Sequence, residues 1–215
     1  LLRWNDPGAS ISASLQLGSA FAIIFYFRDD LLLSISSFFS IFRHRKPFKD
    51  ENTRLASYIF LASIPILIFG LLTKLFWPGF SDSNFRGLLS IAIVSIIMSL
   101  LLALSEIYGQ RKKFFKDIKI TDIILLGLSQ SLAIFPGVSR SGVTLTSALF
   151  SGIERKTAAR LSFLVGIPAI SISGFVEFIN LYRASSTLFI LPIIIGIISS
   201  FFSSIFAIDL LLKFL

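Results

Sequence analysis

The sequence predicts an all-α, polytopic integral membrane protein, and its composition carries that prediction. Of the 215 residues, 54% are hydrophobic and only 15% are charged, and the mean hydropathy is +0.85. Soluble proteins carry about 25% charged residues, which supply the polar surface around a core. The chain also holds 24 Phe and no Cys. These values exclude a cytosolic globular enzyme, a disordered tail and a disulfide-stapled secreted module.

Six apolar runs approach the length of a membrane-spanning helix. A hydrocarbon core of roughly 30 Å requires about 20 residues of helix. The runs are Ile11–Phe27, Tyr58–Phe76, Gly87–Leu104, Thr121–Phe135, Leu161–Ile179 and Leu188–Phe206. A shorter, Ser-rich run, Leu31–Phe42, precedes a basic cluster and is predicted to lie in the interface or to extend a neighbouring helix. We therefore expect about six transmembrane helices.

The charges between these runs predict the orientation of the helices. The net charge of +8 would suggest nucleic acid as the partner of a soluble protein, but here it follows the positive-inside bias of membrane proteins. Two loops between the apolar runs hold eleven of the twenty cations. The first loop has Arg28, Arg43, Arg45, Lys46, Lys49 and Arg54, and the second has Arg111, Lys112, Lys113, Lys116 and Lys119. Segments 28–57 and 105–122 are therefore predicted to be cytoplasmic loops. No nucleic-acid partner is expected.

A short apolar segment, Val143–Ser151, is predicted to be a re-entrant half-helix. Its length is roughly 14 Å at 1.5 Å per residue, too short to cross a bilayer. Pro136-Gly137 precedes it and Gly152 follows it. Irregular backbone at membrane depth survives only beside protein or a water-filled cavity. The orientation places the start of this segment near the outer face.

An internal similarity suggests a repeat. Ser14–Gly18 and Ser162–Gly166 share a pattern of Ser, apolar residues and Gly at the start of two runs. Inverted repeats are common in transporter-like folds. We expect 1–215 to form a single transmembrane domain of inverted-repeat architecture.

The residues around Arg140 predict an anion-binding site. Arg140 is the only charged residue between Asp122 and Glu154, and a charge at membrane depth requires a partner. The planar guanidinium of Arg140 suits phosphate, because it can donate two parallel hydrogen bonds. Hydroxyl groups are offered by Ser139, Ser141 and Thr144, and the start of the half-helix directs N–H groups to the same place. Gly137 and Gly142 permit the backbone to turn inward. The alternative is a plain loop whose Arg snorkels to lipid headgroups.

At this point the sequence resembles a known family. The string Pro136–Gly142 is similar to a motif of the undecaprenyl-diphosphate phosphatase (bacitracin resistance) family. The resemblance includes Gln130 upstream of the string and the segment from Leu161 to Pro168 downstream of it. Gln16-Leu17-Gly18 also resembles it. The resemblance implies inverted repeats with two re-entrant segments. It also implies hydrolysis of the isoprenoid diphosphate lipid that carries cell-wall precursors, at the outer face of the bacterial inner (plasma) membrane.

The resemblance implies roles for residues as well as a missing motif. It implies that Arg140 and Ser139 are catalytic and that Ser141, Gly142, Thr144, Gly137 and Gln130 bind substrate. The family's acidic EGxTEFLPxSSTGH motif has no match in this chain, so the resemblance implies a sequence truncated at both ends, without that motif and without the family's last span. A divalent cation such as Mg²⁺ is expected from the family, with its ligands outside this chain, so no metal-binding residue is predicted. We expect this piece to be inactive alone, to bind the lipid and the bilayer, and to form a homodimer.

Several other polar residues have two interpretations. Glu177 and Asp209 would ligate Mg²⁺ or act as bases, or else pair with Arg183 and Lys213 near helix ends. Arg155 and Arg160 would bind a lipid headgroup or belong to a polar turn. Gln16 would bond another helix or a ligand, and His44 is expected to be a solvated bystander.

A transporter or flippase of a phosphorylated lipid or anion is the main alternative function, because broken helices commonly form transport sites. A purely structural membrane subunit would leave Arg140 and the half-helix unexplained.

Overall fold

The computed structural model describes residues 9–44, 50–77, 79–80, 84–184 and 190–214. Side chains are described over 11–37, 50–77, 79–80, 85–183 and 191–214. Within these ranges the chain forms helices and no strands. They are α1 (Ala9–Tyr26), α2 (Arg28–His44), α3 (Glu51–Phe76), α4 (Leu88–Tyr108), α5 (Ile120–Ser131), α6 (Arg140–Phe150), α7 (Arg155–Leu164), α8 (Ile167–Ala184) and α9 (Ile190–Phe214).

Among the described residues, four helical stretches are long and apolar enough to cross a membrane. They are Glu51–Phe76, Leu88–Tyr108, Arg155–Arg183 and Leu191–Phe214, and α1 with α2 would add a fifth if counted as one broken span. The predicted all-α, polytopic membrane fold is confirmed. The described residues hold four or five candidate spans and not the six expected, because the predicted run Thr121–Phe135 folds as a helix too short to cross and α1 qualifies only together with α2.

The helices group into two compact units. The terminal unit comprises α1, α8 and α9, and the central unit comprises Asp29–Gly166. In the terminal unit, α1 packs against both partners, and Ser19 Oγ lies 2.8 Å from Ser204 Oγ and 3.1 Å from Ser200 Oγ. Ser14 and Ser162, which begin the two similar segments, are both buried, while the repeat relation stays a prediction.

The predicted first loop, 28–57, is mostly helical, because α2 begins at Arg28 and α3 begins at Glu51. Asp50 caps α3 by accepting the N–H of Thr53 at 2.8 Å, and the Thr53 hydroxyl accepts the N–H of Asp50 at 3.1 Å. This reciprocal pair satisfies two backbone donors at the helix start. Residues 45–49 of the predicted loop lie outside the described residues.

Helix α4 presents an apolar surface along its whole length. Only Ser105 is buried in this helix, whereas Leu88, Ile96, Leu100 and Ile107 are each more than half exposed. An all-round apolar helix with so little buried surface is stable in hydrocarbon and not in water. We conclude that α4 is suited to the hydrocarbon core of a membrane, with one side packed against α6.

Arg54 and Tyr58 hold the segment that connects α4 to α5. The Tyr58 hydroxyl donates to the Ile118 carbonyl at 2.9 Å and accepts from Arg54 Nη2 at 3.0 Å. Arg54 Nη2 also donates to the Lys116 carbonyl at 3.0 Å, and its guanidinium lies 5.7 Å from the Phe115 ring centroid. Tyr58 is buried, so these bonds are shielded from water. The connecting segment is thereby fixed to the first turns of α3.

Replacing Tyr58 by phenylalanine should lower the free energy of unfolding by about 1 kcal/mol, because the buried Ile118 carbonyl keeps only its longer bond from Arg54 Nη2, at 3.2 Å, and Arg54 loses an acceptor. The midpoint of thermal unfolding in detergent measures this change. Tyr108→Phe is the matched control, since Tyr108 is exposed at the end of α4 and should leave the midpoint unchanged. Equal midpoints for the two variants would contradict the role assigned to the Tyr58 hydroxyl.

Candidate functional site

Helices α5 and α6 form a hairpin whose two ends lie together. Lys113, before α5, donates its N–H to the Gly152 carbonyl at 2.9 Å, and Glu154, after α6, donates to the Lys113 carbonyl at 2.9 Å. Helices of 12 and 11 residues are about 18 and 16 Å long. Neither limb crosses a hydrocarbon core of roughly 30 Å. The hairpin therefore enters and leaves on one side of the membrane.

The tip of the hairpin, which we define as residues 135–139, packs against the first turns of α4. The Ser95 hydroxyl donates to the Gly137 carbonyl at 3.2 Å. Gly137 has a φ of +91°, and a Cβ atom there would lie 2.8 Å from the carbonyl oxygen of Ile91. Only glycine fits both the left-handed backbone and this close approach. The tip thus reaches the end of α4 that is opposite to the hairpin base.

These contacts correct one sequence prediction and refine another. Thr121–Phe135 was expected to be a full span, but it is the first limb of the hairpin. The predicted re-entrant half-helix exists, yet it begins at Arg140 and not at Val143. Ser139 is its N-cap, accepting the Gly142 N–H at 3.2 Å. A Cβ at Gly142 would lie 3.1 Å from Ser139 Oγ and press on this cap.

Arg140 is the first residue of α6, where a cation is electrostatically misplaced. The N-terminus of a helix carries a partial positive charge, which favours anions and disfavours cations. Arg140 Nε and Nη1 are also buried, with no hydrogen-bond partner among the described residues. Buried guanidinium N–H groups without acceptors cost stability. An anion beside Arg140 would relieve both problems at once.

Further donors surround Arg140. The backbone N–H groups of Arg140 and Ser141 open the helix, where no intrahelical acceptor exists. Ser139 is exposed and uses its oxygen as the cap acceptor, so its O–H remains able to donate outward. Ser141 lies in the first turn beside Arg140, and its side chain is partly exposed. The arrangement is a set of donors around one cation, as phosphate recognition requires.

Two predicted site residues lie deeper than expected. Thr144 is fully buried, and its hydroxyl donates to the carbonyls of Arg140 at 2.9 Å and Ser141 at 3.1 Å. This hydrogen is used within α6, so the geometry gives Thr144 a role in holding the helix start. Gln130 is also fully buried, and its Nε2 donates to the Ala62 carbonyl of α3 at 3.3 Å. Its Oε1 has no hydrogen-bond partner in the described part of the chain.

An aromatic cluster beside the tip is a feature that the sequence analysis missed. It consists of Trp77, Phe80, Phe85 and Phe135, whose ring centroids lie 5.3–6.2 Å apart in neighbouring pairs. Phe80 is buried, whereas the other three rings are about half exposed. The cluster fastens the residue before Pro136 to the ends of α3 and α4. Trp77 at the end of an apolar run was the only sequence signal for it.

The base of the hairpin is held by charges as well as by backbone bonds. Lys113 Nζ donates to both oxygens of Asp122, at 2.9 and 3.1 Å. Glu154 caps α7, accepting from the N–H of Thr157 at 2.9 Å and the N–H of Lys156 at 3.1 Å. Burial alone would raise the pKa of the Glu154 carboxyl, but the hydrogen bonds from Thr157 and Lys156 hold the pKa below its usual value.

Replacing Glu154 by glutamine should lower the unfolding free energy by about 1 kcal/mol at neutral pH, because the charged cap is lost. A carboxyl whose folded pKa is depressed stabilises the fold above its unfolded pKa of about 4.3. That stabilisation disappears as the pH falls through the lower, folded pKa. Thermal unfolding midpoints of both proteins should therefore converge once the pH falls below the folded pKa of Glu154. A difference that is constant with pH would contradict the capping role.

Other polar residues are placed by ion pairs. Arg155 and Arg160 are bound by carboxylates, since Arg155 Nε donates to Glu106 at 2.8 Å and Arg160 Nη2 to Asp30 at 2.7 Å. Asp209 pairs with Lys213 at 2.7 Å, as one of its two interpretations expected.

The remaining candidates are Glu177, Gln16 and His44. Glu177 lies half-buried on α8 and Gln16 is exposed on α1. The side chain of His44 lies outside the described residues.

The described residues do not form a metal centre. No group of three or more His, Cys, Asp or Glu side chains among them could hold a metal ion. The charged group beside the hairpin tip is the guanidinium of Arg140, which repels cations. These residues therefore do not fit the divalent cation that the family resemblance implies, and that cation stays a prediction.

Comparisons with known proteins show the family of this chain. A family model described as bacitracin resistance protein BacA matches residues 1–215. A protein of Prochlorococcus marinus (strain NATL1A) named undecaprenyl-diphosphatase is 74% identical over 215 residues, which are 100% of this chain and 77% of that protein. One of the same name from Parasynechococcus marenigrum (strain WH8102) is 47% identical over 100% of this chain and 75% of its own length. The chain belongs to the bacitracin resistance protein BacA family.

Proposed function

We propose that this chain carries the phosphate-binding half of an undecaprenyl-diphosphate phosphatase. The observation that supports it most is the buried, unpartnered guanidinium of Arg140 at the start of the re-entrant helix α6. A lipid diphosphate would place its charged group there and its isoprenoid chain in the bilayer. The named relatives are undecaprenyl-diphosphatases, and family membership gives this chain the same expected activity. The product, undecaprenyl phosphate, returns to cell-wall synthesis, which gives resistance to bacitracin.

The reaction transfers the terminal phosphoryl group of the diphosphate to water. The oxygen of water bonds to the terminal phosphorus, and the bond from that phosphorus to the bridging oxygen breaks. Undecaprenyl phosphate leaves with the electron pair, and inorganic phosphate carries away the oxygen of water. Positioning and charge neutralisation dominate such transfers. Arg140 and the N–H groups of α6 would neutralise the phosphoryl oxygens, while Ser139 and Ser141 would donate hydrogen bonds to them.

The site would face the outer side of the bacterial inner membrane. The hairpin base adjoins segment 105–122, whose five cations favour the cytoplasmic side. The tip reaches the opposite end of α4, so it would open to the outer leaflet. The substrate would then enter sideways, with its chain still in lipid. A homodimer remains a prediction from the sequence.

The orientation has a direct test, because the chain has no cysteine of its own. Ser139→Cys should react with a membrane-impermeant maleimide added to intact spheroplasts, since Ser139 is exposed at the tip. Lys112→Cys, at the other end of the hairpin, should react only after the cells are opened. The reverse pattern would contradict an outward-facing tip.

Release of inorganic phosphate from pure undecaprenyl diphosphate tests the function itself. The protein expressed from its complete gene, in detergent, should release phosphate, and Arg140→Gln should abolish release. Sealed vesicles separate this activity from that of a flippase. Movement of intact diphosphate lipid between leaflets without phosphate release would overturn the phosphatase in favour of the transporter.

A further inference from the structure

A second group of charges lies where α4 ends, away from the hairpin tip. Glu106, in the last turn of α4, accepts from Arg155 Nε at 2.8 Å through Oε2. The same oxygen lies 3.1 Å from Arg111 Nη2. Two guanidinium groups therefore share one carboxylate oxygen, which leaves one positive charge in excess. Lys112 and Lys156, beside the two arginines in sequence, are exposed and add two more.

The neighbouring carboxylates form other hydrogen bonds and do not pair with Arg111 or Arg155 in the described part of the chain, although Glu154 offsets part of the charge of Lys156. Asp122 accepts two bonds from Lys113 Nζ. Glu154 accepts the N–H groups that begin α7, and Asp117 accepts the N–H of Phe114 at 3.1 Å. The shared oxygen of Glu106 thus faces two cations with no further acid supplied by these segments.

Arg111 has one unsatisfied nitrogen, Nε, and a backbone conformation that arginine rarely adopts. Its φ is +53°, and no other non-glycine residue in the described ranges has a positive φ. The backbone bonds of Lys113 to Gly152 and Glu154 fix the segment in this shape. Arg111 Nε is buried and has no hydrogen-bond partner among the described residues. Strained, unsatisfied residues commonly mark binding sites.

An apolar path leads from this group along α4. Tyr108 and Ile107 are 72% exposed, and Leu104 and Leu100 continue the exposed surface toward the middle of the helix. A phospholipid places its charged phosphodiester at the membrane surface and its acyl chains in the hydrocarbon core. One phosphodiester carries one negative charge, which matches the excess on Arg111, Glu106 and Arg155.

We propose that Arg111 and Arg155 bind the phosphodiester headgroup of an anionic phospholipid whose acyl chains lie along α4. The headgroup accepts from the guanidinium groups that Glu106 holds in place, and Lys112 and Lys156 add attraction at the surface. Basic residues at the membrane surface gain affinity for anionic lipid in this way. The lipid ties the end of α4 to the start of α7, at the base of the hairpin.

The test compares retained lipids and thermal unfolding midpoints in nanodiscs of phosphatidylcholine, with and without phosphatidylglycerol. The wild-type protein should retain phosphatidylglycerol selectively, and its thermal unfolding midpoint should be higher when this lipid is present. Arg111→Asn, which suits a left-handed backbone, and Arg155→Gln should each reduce the affinity for phosphatidylglycerol about fivefold. Lys74→Gln removes an exposed cation at the far end of α3 and should leave the affinity unchanged.

Glu106→Gln separates lipid binding from a structural role for the ion pairs. It removes the competing carboxylate, so the affinity for phosphatidylglycerol should be retained or should rise. A loss of affinity equal to that of the arginine variants would overturn the proposal. Unchanged lipid selectivity in both arginine variants would overturn it as well. A midpoint gain from inorganic phosphate as large as that from phosphatidylglycerol would instead indicate a site for free anions. Arg155→Gln decides the test if Arg111→Asn does not fold.

Discussion

Arg140→Met should abolish phosphate release while leaving the fold intact or making it more stable. Arg140 sits at the positive end of α6 with two buried nitrogens that find no partner in the described residues. Removing one donor aimed at transition-state charge costs about 100-fold or more in rate. Removing an unsatisfied buried charge should raise the unfolding free energy by about 1 kcal/mol. Opposite changes in activity and stability are the signature of a residue retained for function.

The control for Arg140→Met is Lys74→Met, which also removes one cation from the central unit. Lys74 is exposed near the end of α3, so its loss should change neither phosphate release nor the midpoint. Arg140→Lys retains the charge without the planar fork and should recover part of the activity. Loss of stability together with activity in Arg140→Met would contradict the account, because it would give Arg140 a structural role.

Gly137→Ala should unfold the hairpin tip and remove activity with it. The left-handed φ of +91° costs an L-residue about 1–2 kcal/mol. The added Cβ would also lie 2.8 Å from the Ile91 carbonyl oxygen and 3.2 Å from Val94 Cβ. Neither neighbour can yield easily, since Ile91 presents backbone. We expect the total loss of unfolding free energy to be about 3 kcal/mol or more.

Gly152→Ala isolates the part of this effect that comes from backbone conformation alone. Gly152 has a similar φ of +82°, but its nearest neighbour, Gln110 Cβ, would be 3.9 Å from an added Cβ. This variant should lose only about 1–2 kcal/mol and keep its activity. Thermal unfolding and phosphate release measured on both variants decide the comparison. Equal losses would show that the contact with α4 does not position the tip.

Hydropathy predicted the helices that face lipid but not the path of the chain between them. Helices α3 and α4 follow from long apolar runs, because lipid selects for apolar residues around the helix. The run before Phe135 looks the same whether it crosses the membrane or turns back. The turn back is fixed by the backbone bridge between Lys113 and Ile153, which are 40 positions apart in the sequence and belong to no motif.

The motif around Arg140 predicted the site, but not its construction. The predicted start at Val143 followed the apolar pattern alone. Ser139 caps the helix, which therefore begins at Arg140, three residues before Val143. Ser95, which holds Gly137, and the rings around Phe135 come from distant segments. Such packing partners are set by tertiary contacts and leave no local pattern.

The most direct test of the central claim is photo-cross-linking with an undecaprenyl diphosphate analogue whose photoactivatable group is on the terminal phosphate. The measurement is the site on the protein at which the analogue becomes attached. After irradiation and proteolysis, mass spectrometry should find the label on the peptide that spans the hairpin tip and the first turn of α6. Excess unlabelled diphosphate lipid should prevent the labelling. Label confined to peptides of the terminal unit, or unaffected by the competitor, would contradict a diphosphate site at Arg140.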